Sequence, residues 1–470
     1  MKKNITRLLI ILTAGLLFSC NDLDDQPQYN SLDPYNFVWK GLNQYYYYQE
    51  NVANLSDHRF NSQEELNSYL SSFTKPETLF ENLIYNRKNI DKFSFITSNY
   101  TVLEQILSGT NDSNGMEYGI SPKNGSQTEV FGWVKYIMPN SDASTKDLKR
   151  GDLFYGVNGI PLTRSNYREL LSKTNYTLNL ASYDGGAITP NGKTVALVKK
   201  AYSENPVYIT DVIEEGNKKI GYLMYNGFYT YYEPELNQAF GKLKAAGITD
   251  LVLDLRYNSG GSVATATRLA SMITGQFEDQ IFAKEQWNSK ISRTIDPNRL
   301  LNKFTSQLKD GTPINSLNLN KVYILTTANT ASASELVINC LKPYIQVVQI
   351  GDTTTGKNVG SITLYDSPNY TKRNLNPTHR YAMQLIVLKI VNKVGFGDYE
   401  AGITPDATNI LTEDISNLGV LGNRSEPYLA KAMSLIKSGD RIGIQKPPFK
   451  VYNKVIDLSK DDLKYEMYVD

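Results

Sequence analysis

The 470-residue chain is 41% hydrophobic and 21% charged, enough apolar material for two or three domains with their own cores. Forty-nine Lys and Arg against 48 Asp and Glu leave a formal charge of +1, so no electrostatic case exists for a nucleic acid as partner. With only two histidines, His58 and His379, each in a polar stretch outside any motif, a His-rich metal site or a Ser-His-Asp arrangement has almost nothing to draw on.

At the N-terminus, Lys2, Lys3 and Arg7 precede an apolar run over residues 8 to 18. That run has signal-peptide length and is too short to span a hydrocarbon core of roughly 30 Å. It ends in Leu17-Phe18-Ser19-Cys20, which resembles a bacterial lipobox with Cys20 as the lipidated residue, although Phe18 is bulkier than usual there. Cys340 would then be the one remaining thiol, so the mature chain has no intrachain disulfide. The acidic, polar stretch 21–29 reads as a tether that holds a domain off a membrane.

Residues 30 to 114 read as mainly helical: PETLFENLIYNRKNI and NYTVLEQIL place apolar side chains at three- and four-residue spacing. The tyrosine run 45–48 reads as packing material. The cluster Gly109 to Gly115 is a turn or linker signal. Residues 115 to 204 change character, with short β-rich pieces separated by turn signals and one helix signal from Tyr167 to Lys173. From 205 the pattern becomes strand-helix-strand. The strands VYITDVIE and KKIGYLMYN precede a helix over 233–246, whose expected C-cap is Gly247. Then come a continuous apolar strand at 248–255, a Gly-rich turn, and the helix VATATRLASMI. Residues 275–320 read as irregular. The strand KVYILT, the helix ASASELVINCLK and the strands IQVVQI, SITLYD and YAMQLIVLKIVN follow.

Two strand-to-helix corners carry the candidate chemistry. Ser332 falls where a buried strand gives way to a helix, beside the unpaired N-H groups and positive dipole of the first turn. Those groups can stabilise an oxyanion, with the N-H of Ala333 well placed as one donor. Taken alone, such a serine reads as a plain N-cap; the second corner is what changes that reading. The second corner, Asp254 to Ser262, holds Gly260 and Gly261, which permit a backbone conformation that points an N-H outward. Corners from neighbouring parallel strands meet at the carboxyl edge of an open sheet, where ligands bind. Lys357, in the turn TTTGKN, could act as a base only if burial lowers its pKa.

Together these motifs resemble the C-terminal processing (tail-specific) serine peptidases, and the lipoprotein members of Bacteroidota type in particular. The resemblance rests on Ser332-Ala333-Ser334-Glu335, on Gly356-Lys357 twenty-five residues after the serine, on Asp254-Leu255-Arg256-Tyr257-Asn258-Ser259-Gly260-Gly261, and on Gly402-Ile403-Thr404-Pro405-Asp406. It implies an α/β peptidase core of mixed sheet with flanking helices, spanning 205–425. A helical N-terminal region and a small β-rich PDZ-like domain at 115–204 precede that core, and a C-terminal helix and tail at 426–470 follow it. Ser332 would be the nucleophile, Lys357 its general base, and Ala333 with Gly260 or Gly261 the oxyanion donors. Gly151 to Gly159 resembles the PDZ Gly-Asp turn. Glu117-Tyr118-Gly119-Ile120 resembles the PDZ carboxylate-binding loop, so Tyr118, Gly119 and Ile120 would hold a peptide C-terminus through backbone N-H groups. A polypeptide substrate and a lipid-anchored place in the cell envelope are implied, periplasmic or surface-facing; no metal or cofactor is.

Two positions depart from the family. Ser361 stands four residues after the lysine, where many members have an orienting glutamine, and Pro343 stands eleven after the serine, where others have an acid. These departures keep open a peptide-binding surface lipoprotein with a degenerate site. Glu335 and Arg256 read as structural, the first as a charge at a helix N-terminus and the second as a turn anchor. Residues 351–358 nearly match a phosphate-binding G-x-x-x-x-G-K-[ST] loop. However, Asn358 lacks the required hydroxyl, and the segment after it reads as a strand. The Ser-x-x-Lys pairs at Ser72, Ser306 and Ser434 lack the companion motif of acyl-enzyme proteins.

Overall fold

The computed structural model describes residues 30–439, 457 and 467–469. The expected signal peptide, Cys20 and the 21–29 tether lie outside the described residues. The architecture is mixed α/β, with a helical N-terminal region leading into it.

That region contains helices Asp33–Tyr45, Gln63–Leu70, Pro76–Leu83 and Tyr100–Leu107. Pro76 sits in the first turn of its helix, where a missing N-H costs nothing. The apolar periodicity after Pro76 predicts a longer helix than forms. The chain turns extended at Ile84, and the Tyr85 N-H donates to the Tyr46 hydroxyl, which in turn donates to the buried Asp91 at 2.7 Å. A long-range hydrogen bond therefore competes with continuation of the helix. The Gly109–Gly115 cluster is more than a linker: Thr110–Ser113 is a strand paired with Lys200–Ser203, which closes the base of the segment between them.

Within that segment a six-stranded antiparallel sheet runs in the order Met116–Pro122, Val130–Ile137, Leu153–Val157, Asn175–Tyr183, Ile188–Val198, with Ile160–Pro161 added beside Leu153–Val157. Its own core gathers Ile120, Val134, Phe154, Leu170 and Leu178, the fourth of these from helix Tyr167–Ser172.

The second sheet has five strands in the order Val207–Glu215, Lys218–Tyr225, Asp250–Asp254, Lys321–Thr326, Gln346–Gly351. Its first pair is antiparallel and the remaining pairs are parallel. Strand alternation sends Leu223, Leu253 and Ile324 to one face, under helices Glu233–Ala246, Val263–Thr274 and Ala333–Leu341. Tyr222, Val252, Tyr323 and Leu325 go to the other, under helix Pro427–Ser438. Both faces are covered, which is why these strands read as unbroken apolar runs. Gly247 adopts φ 67° and ends its helix as expected.

A seven-stranded sheet completes the core, in the order Gly261–Ser262, Met467–Tyr468, Val359–Tyr365, Ala382–Asn392, Ile281–Trp287, Leu301–Lys303. Phe95–Thr97 branches from Ala382–Asn392 and stitches the N-terminal region to it. Ile281–Trp287 corrects the expectation that 275–320 is irregular. It pairs antiparallel with Ala382–Asn392, and that distant partner supplies the ladder that its own sequence does not announce. Val359–Tyr365 is a strand, which removes the helix a phosphate-binding loop requires after its lysine.

Candidate active site

Ser332 ends the connection from strand Lys321–Thr326 and precedes helix Ala333–Leu341, with φ 61° and ψ −118°. That backbone conformation is costly for a residue with a Cβ, so it persists only where the surroundings over-determine it. Here they do. Ala331 N-H donates to Asn258 O at 3.1 Å, Ser334 Oγ donates to the same carbonyl at 3.1 Å, and Thr330 Oγ1 donates to Leu255 O at 2.8 Å. The serine corner is thus clamped onto the glycine corner. The Ser332 side chain is wholly buried, and its Oγ has no hydrogen-bond partner. Ser332 does stand at the N-cap position, and Glu335 takes its backbone N-H as in a capping box, but the Oγ makes no bond to the helix, and a buried, unsatisfied hydroxyl costs about 1–3 kcal/mol.

Glu335, three residues further, organises the site. Its buried carboxylate accepts the Ser332 N-H at 2.7 Å, the Lys357 N-H at 2.9 Å and the Gly356 N-H at 2.6 Å, and also the Thr354 hydroxyl. Burial pushes this carboxyl above its ordinary range; the donors pull the other way and only partly compensate. Its role therefore exceeds the helix-end charge expected from the sequence, because it ties the lysine turn to the serine turn.

Lys357 is fully buried, with its Nζ 4.8 Å from the centroid of the Phe93 ring. Since Ser332 Oγ makes no hydrogen bond, Lys357 Nζ and Ser332 Oγ are not bonded to one another in this structure. The turn that carries the lysine is held at Thr355 N-H to Thr330 O, 2.9 Å, and by the pairing of Thr354 with Ile403 through Ile403 N-H to Thr354 Oγ1, 2.7 Å. The Gly402–Asp406 segment thus acts as a brace for the lysine turn. Gly356 has φ 94°, and a Cβ there would stand 2.3 Å from Glu400 O.

At the glycine corner, Arg256 is the expected anchor. Its buried guanidinium holds Asp254 and takes both oxygens of Glu426 at 2.7 and 3.0 Å. Asn258 Oδ1 accepts the Gly260 N-H at 2.9 Å, so that donor is spent within the turn. Gly261 has φ 135° with Phe228 O 2.4 Å from where a Cβ would lie. Ala333 opens the helix, buried, at its first position.

The structure brings together Ser332, Ala333, Lys357 and the Gly260–Gly261 corner. Tyr118, Gly119 and Ile120 differ from the loop expected of them. They lie inside strand Met116–Pro122, because a ladder partner, Val130–Ile137, is available there. This strand is an edge of its sheet. His379 is occupied elsewhere, with Nε2 2.8 Å from Asp366, and His58 is exposed. Pro343 lies beyond the helix C-cap Lys342. Ser361 Oγ accepts from Gln384 Nε2 at 2.9 Å and donates to Met467 O at 3.1 Å. Three further residues escaped sequence reasoning. Gln384 lies in a long apolar strand with no motif around it. Arg150 donates to the Tyr257 hydroxyl at 2.6 Å and to Glu413 at 2.9 Å, so it docks the small β sheet onto the glycine corner. Phe93, the aromatic wall beside Lys357, comes from the N-terminal region, and nothing local marks it.

Residues 219–408 match the model of peptidase family S41, and residues 34–95 match that of the peptidase S41 N-terminal domain. A carboxyl-terminal-processing protease of Picosynechococcus is 22% identical over 348 residues, covering 73% of this chain and 74% of that protein. A chloroplastic carboxyl-terminal-processing peptidase of Arabidopsis thaliana is 24% identical over 227 residues, 47% of this chain and 43% of its own. The crystal structure of a putative S41 protease from Bacteroides fragilis superposes with a TM-score of 0.67 at 27% identity, covering 89% of this chain and all of that one.

Proposed function

Because the chain belongs to peptidase family S41, a family of serine-type peptidases, we propose that it cleaves polypeptides with Ser332 as nucleophile and Lys357 as general base. In this reading the Ser332 hydroxyl attacks a peptide carbonyl as neutral Lys357 takes its proton. The Lys357 ammonium then returns that proton to the leaving amine, and water repeats the sequence on the acyl-enzyme. The N-H of Ala333 and the N-H of Gly261 hold the oxyanion; Gly260 is already committed to Asn258. Burial strips hydration from the Lys357 ammonium and so works toward the neutral amine that a base must be, while the face of the Phe93 ring, 4.8 Å from Nζ, works toward the cation.

The single observation that carries this reading is the Glu335 carboxylate, which takes the backbone N-H of both Ser332 and Lys357 while leaving the Ser332 oxygen free. The missing hydrogen bond between the two side chains fits a resting state, since such contacts tighten when substrate arrives. The test is cleavage of an unstructured polypeptide by the chain from residue 21 onward. Ser332→Ala and Lys357→Ala should each remove it; turnover equal to the unaltered protein would leave a peptide-binding protein instead.

The 115–204 segment is proposed as a PDZ-like module that presents the edge strand Met116–Pro122 to peptides by strand addition. The N-terminus is proposed as a lipid anchor at Cys20, which places the enzyme in the cell envelope. Mass spectrometry of membrane-extracted protein should find diacylglycerol on Cys20 and none on the Cys20→Ser chain; a soluble, unmodified Cys20 would refute the anchor.

A further inference from the structure

Two pieces of the C-terminal tail lie on the machinery just described. The first is Asp457. Its Oδ1 accepts the Ile120 N-H at 3.1 Å, and its Oδ2 meets Lys135 Nζ at 2.6 Å and Asn329 Nδ2 at 3.1 Å. Ile120 belongs to the edge strand of the small sheet and Lys135 to its neighbour, while Asn329 stands three residues before Ser332. The Lys135 and Asp457 side chains are each only 10% exposed. A carboxylate site therefore spans the junction of the small sheet and the serine corner, and a carboxylate of the chain itself fills it. The Lys135 ammonium also lies 5.8 and 5.6 Å from the ring centroids of Trp133 and Tyr257. So confined a cation cannot be left without its counter-charge cheaply, so one carboxylate leaves this site only as another enters.

The second piece is Met467–Tyr468, which pairs in parallel with Gly261–Ser262, the corner that carries the oxyanion candidate. On its other side it meets the strand that follows Lys357: Ser361 Oγ donates to Met467 O at 3.1 Å, and Val469 N-H donates to Ser361 O at 3.2 Å. An extended strand thus fills the gap between the oxyanion corner and the lysine strand. A peptide recruited by strand addition at the site would need that slot. The ladder is only two residues long, and short ladders are readily exchanged.

We propose that the C-terminal segment is an internal ligand of the peptide cleft: Asp457 occupies a site for the carboxylate of a peptide substrate, and residues 467–469 occupy the strand slot beside the oxyanion corner. The enzyme is then latent until a peptide bearing a terminal or side-chain carboxylate displaces its own tail. The inference rests on the peptidase reading for its consequence, but the occupancy itself is testable without turnover.

The probe is a fluorescein-labelled peptide with the sequence of residues 457–470. Its binding is measured by anisotropy to the full chain carrying Ser332→Ala, and to the same chain with Asp457→Ala and Val469→Pro added. These two changes remove the carboxylate and the ladder donor from exchangeable tail positions. The tail variant should bind the peptide at least ten-fold more tightly than its parent, and the peptide made with Asn in place of Asp457 should lose most of that gain. With Ser332 intact, the tail variant should cleave an unstructured polypeptide at least five-fold faster than the unaltered chain. Equal peptide affinity, indifference to the Asn-containing peptide, or equal measurable turnover overturns the inference. Turnover by neither form sinks the peptidase reading, and the binding arm still decides the occupancy.

Discussion

Ser332 and Lys357 donate their backbone N-H groups to one oxygen atom, Oε2 of Glu335, at 2.7 and 2.9 Å. The positions of nucleophile and base are therefore set by a single buried carboxylate rather than by a direct contact between their side chains. Glutamine at 335 would keep one acceptor atom and replace the other with a donor facing N-H groups. We expect Glu335→Gln to lower kcat by roughly 10- to 100-fold and to cost about 2–3 kcal/mol of stability, from donors left buried without acceptors. A variant with unchanged kcat would show that Glu335 does not position the pair.

Glu335 also sets an acid limit. Its pKa in the fold lies above the ordinary 4.5, chiefly through burial, so the folded chain takes up a proton at a pH where the unfolded chain does not. The cost of burying its charge is absent below pH 4.5 and present in full above the raised value. Activity needs the ionised form, which alone accepts all its donors. The kcat profile should therefore fall on the acid side with an apparent pKa above 4.5, and Glu335→Gln should flatten that limb. An acid limb that survives the substitution unchanged assigns the titration to another group.

The left-handed φ of Ser332 stores strain that glycine would release. Ser332→Ala and Ser332→Gly both lack the nucleophile and should be inactive, yet they should differ in stability. Relief of about 1–3 kcal/mol of strain, against about 0.5–1 kcal/mol of added unfolded-state entropy, leaves glycine ahead by roughly 1 kcal/mol. Urea denaturation of the two variants measures the difference; alanine as stable as glycine would mean the corner is unstrained.

Arg256 and Glu426 form a buried two-point pair that closes helix Pro427–Ser438 over the glycine corner. Burial alone would raise the Glu426 pKa, but the Arg256 guanidinium overrides it and holds the carboxyl below 4.5. The stability this pair contributes is thus present above pH 4.5 and lost as pH falls through the depressed folded value. Glu426→Gln should cost about 3–5 kcal/mol at pH 7, because it leaves the guanidinium short of charge. In denaturation series the gap to the unaltered protein should narrow below pH 4.5; a gap independent of pH would remove Glu426 from the acid response.

Gly356 tolerates no side chain, with a Cβ position 2.3 Å from Glu400 O and φ of 94°. Gly356→Ala should cost about 2–3 kcal/mol through the strained backbone and the clash. It should also displace Lys357, so activity is lost at temperatures where the fold persists. Wild-type turnover in this variant would show that the lysine turn is more pliable than its packing implies.

What could be read from the chain alone was local. Apolar periodicity gave the strand Lys321–Thr326 and the helix Glu233–Ala246 at their observed bounds, because burial on two faces or on one stripe writes itself directly into residue spacing. Ser332, Lys357 and the glycine corner were legible as short motifs at fixed separations, and family resemblance supplied their roles. The relations among distant segments stayed hidden until the chain was folded. Glu335 read as a helix-end charge because its partners at 354, 356 and 357 belong to a separate turn. Phe93, Arg150 and Gln384 carry no local signature, since each acts only through contact with a segment far along the sequence. The strand Ile281–Trp287 and the docking of Asp457 and Met467–Val469 likewise come from tertiary pairing. Hydrogen-bond partners and counter-charges are chosen by proximity in space, and spacing along one chain does not encode that proximity.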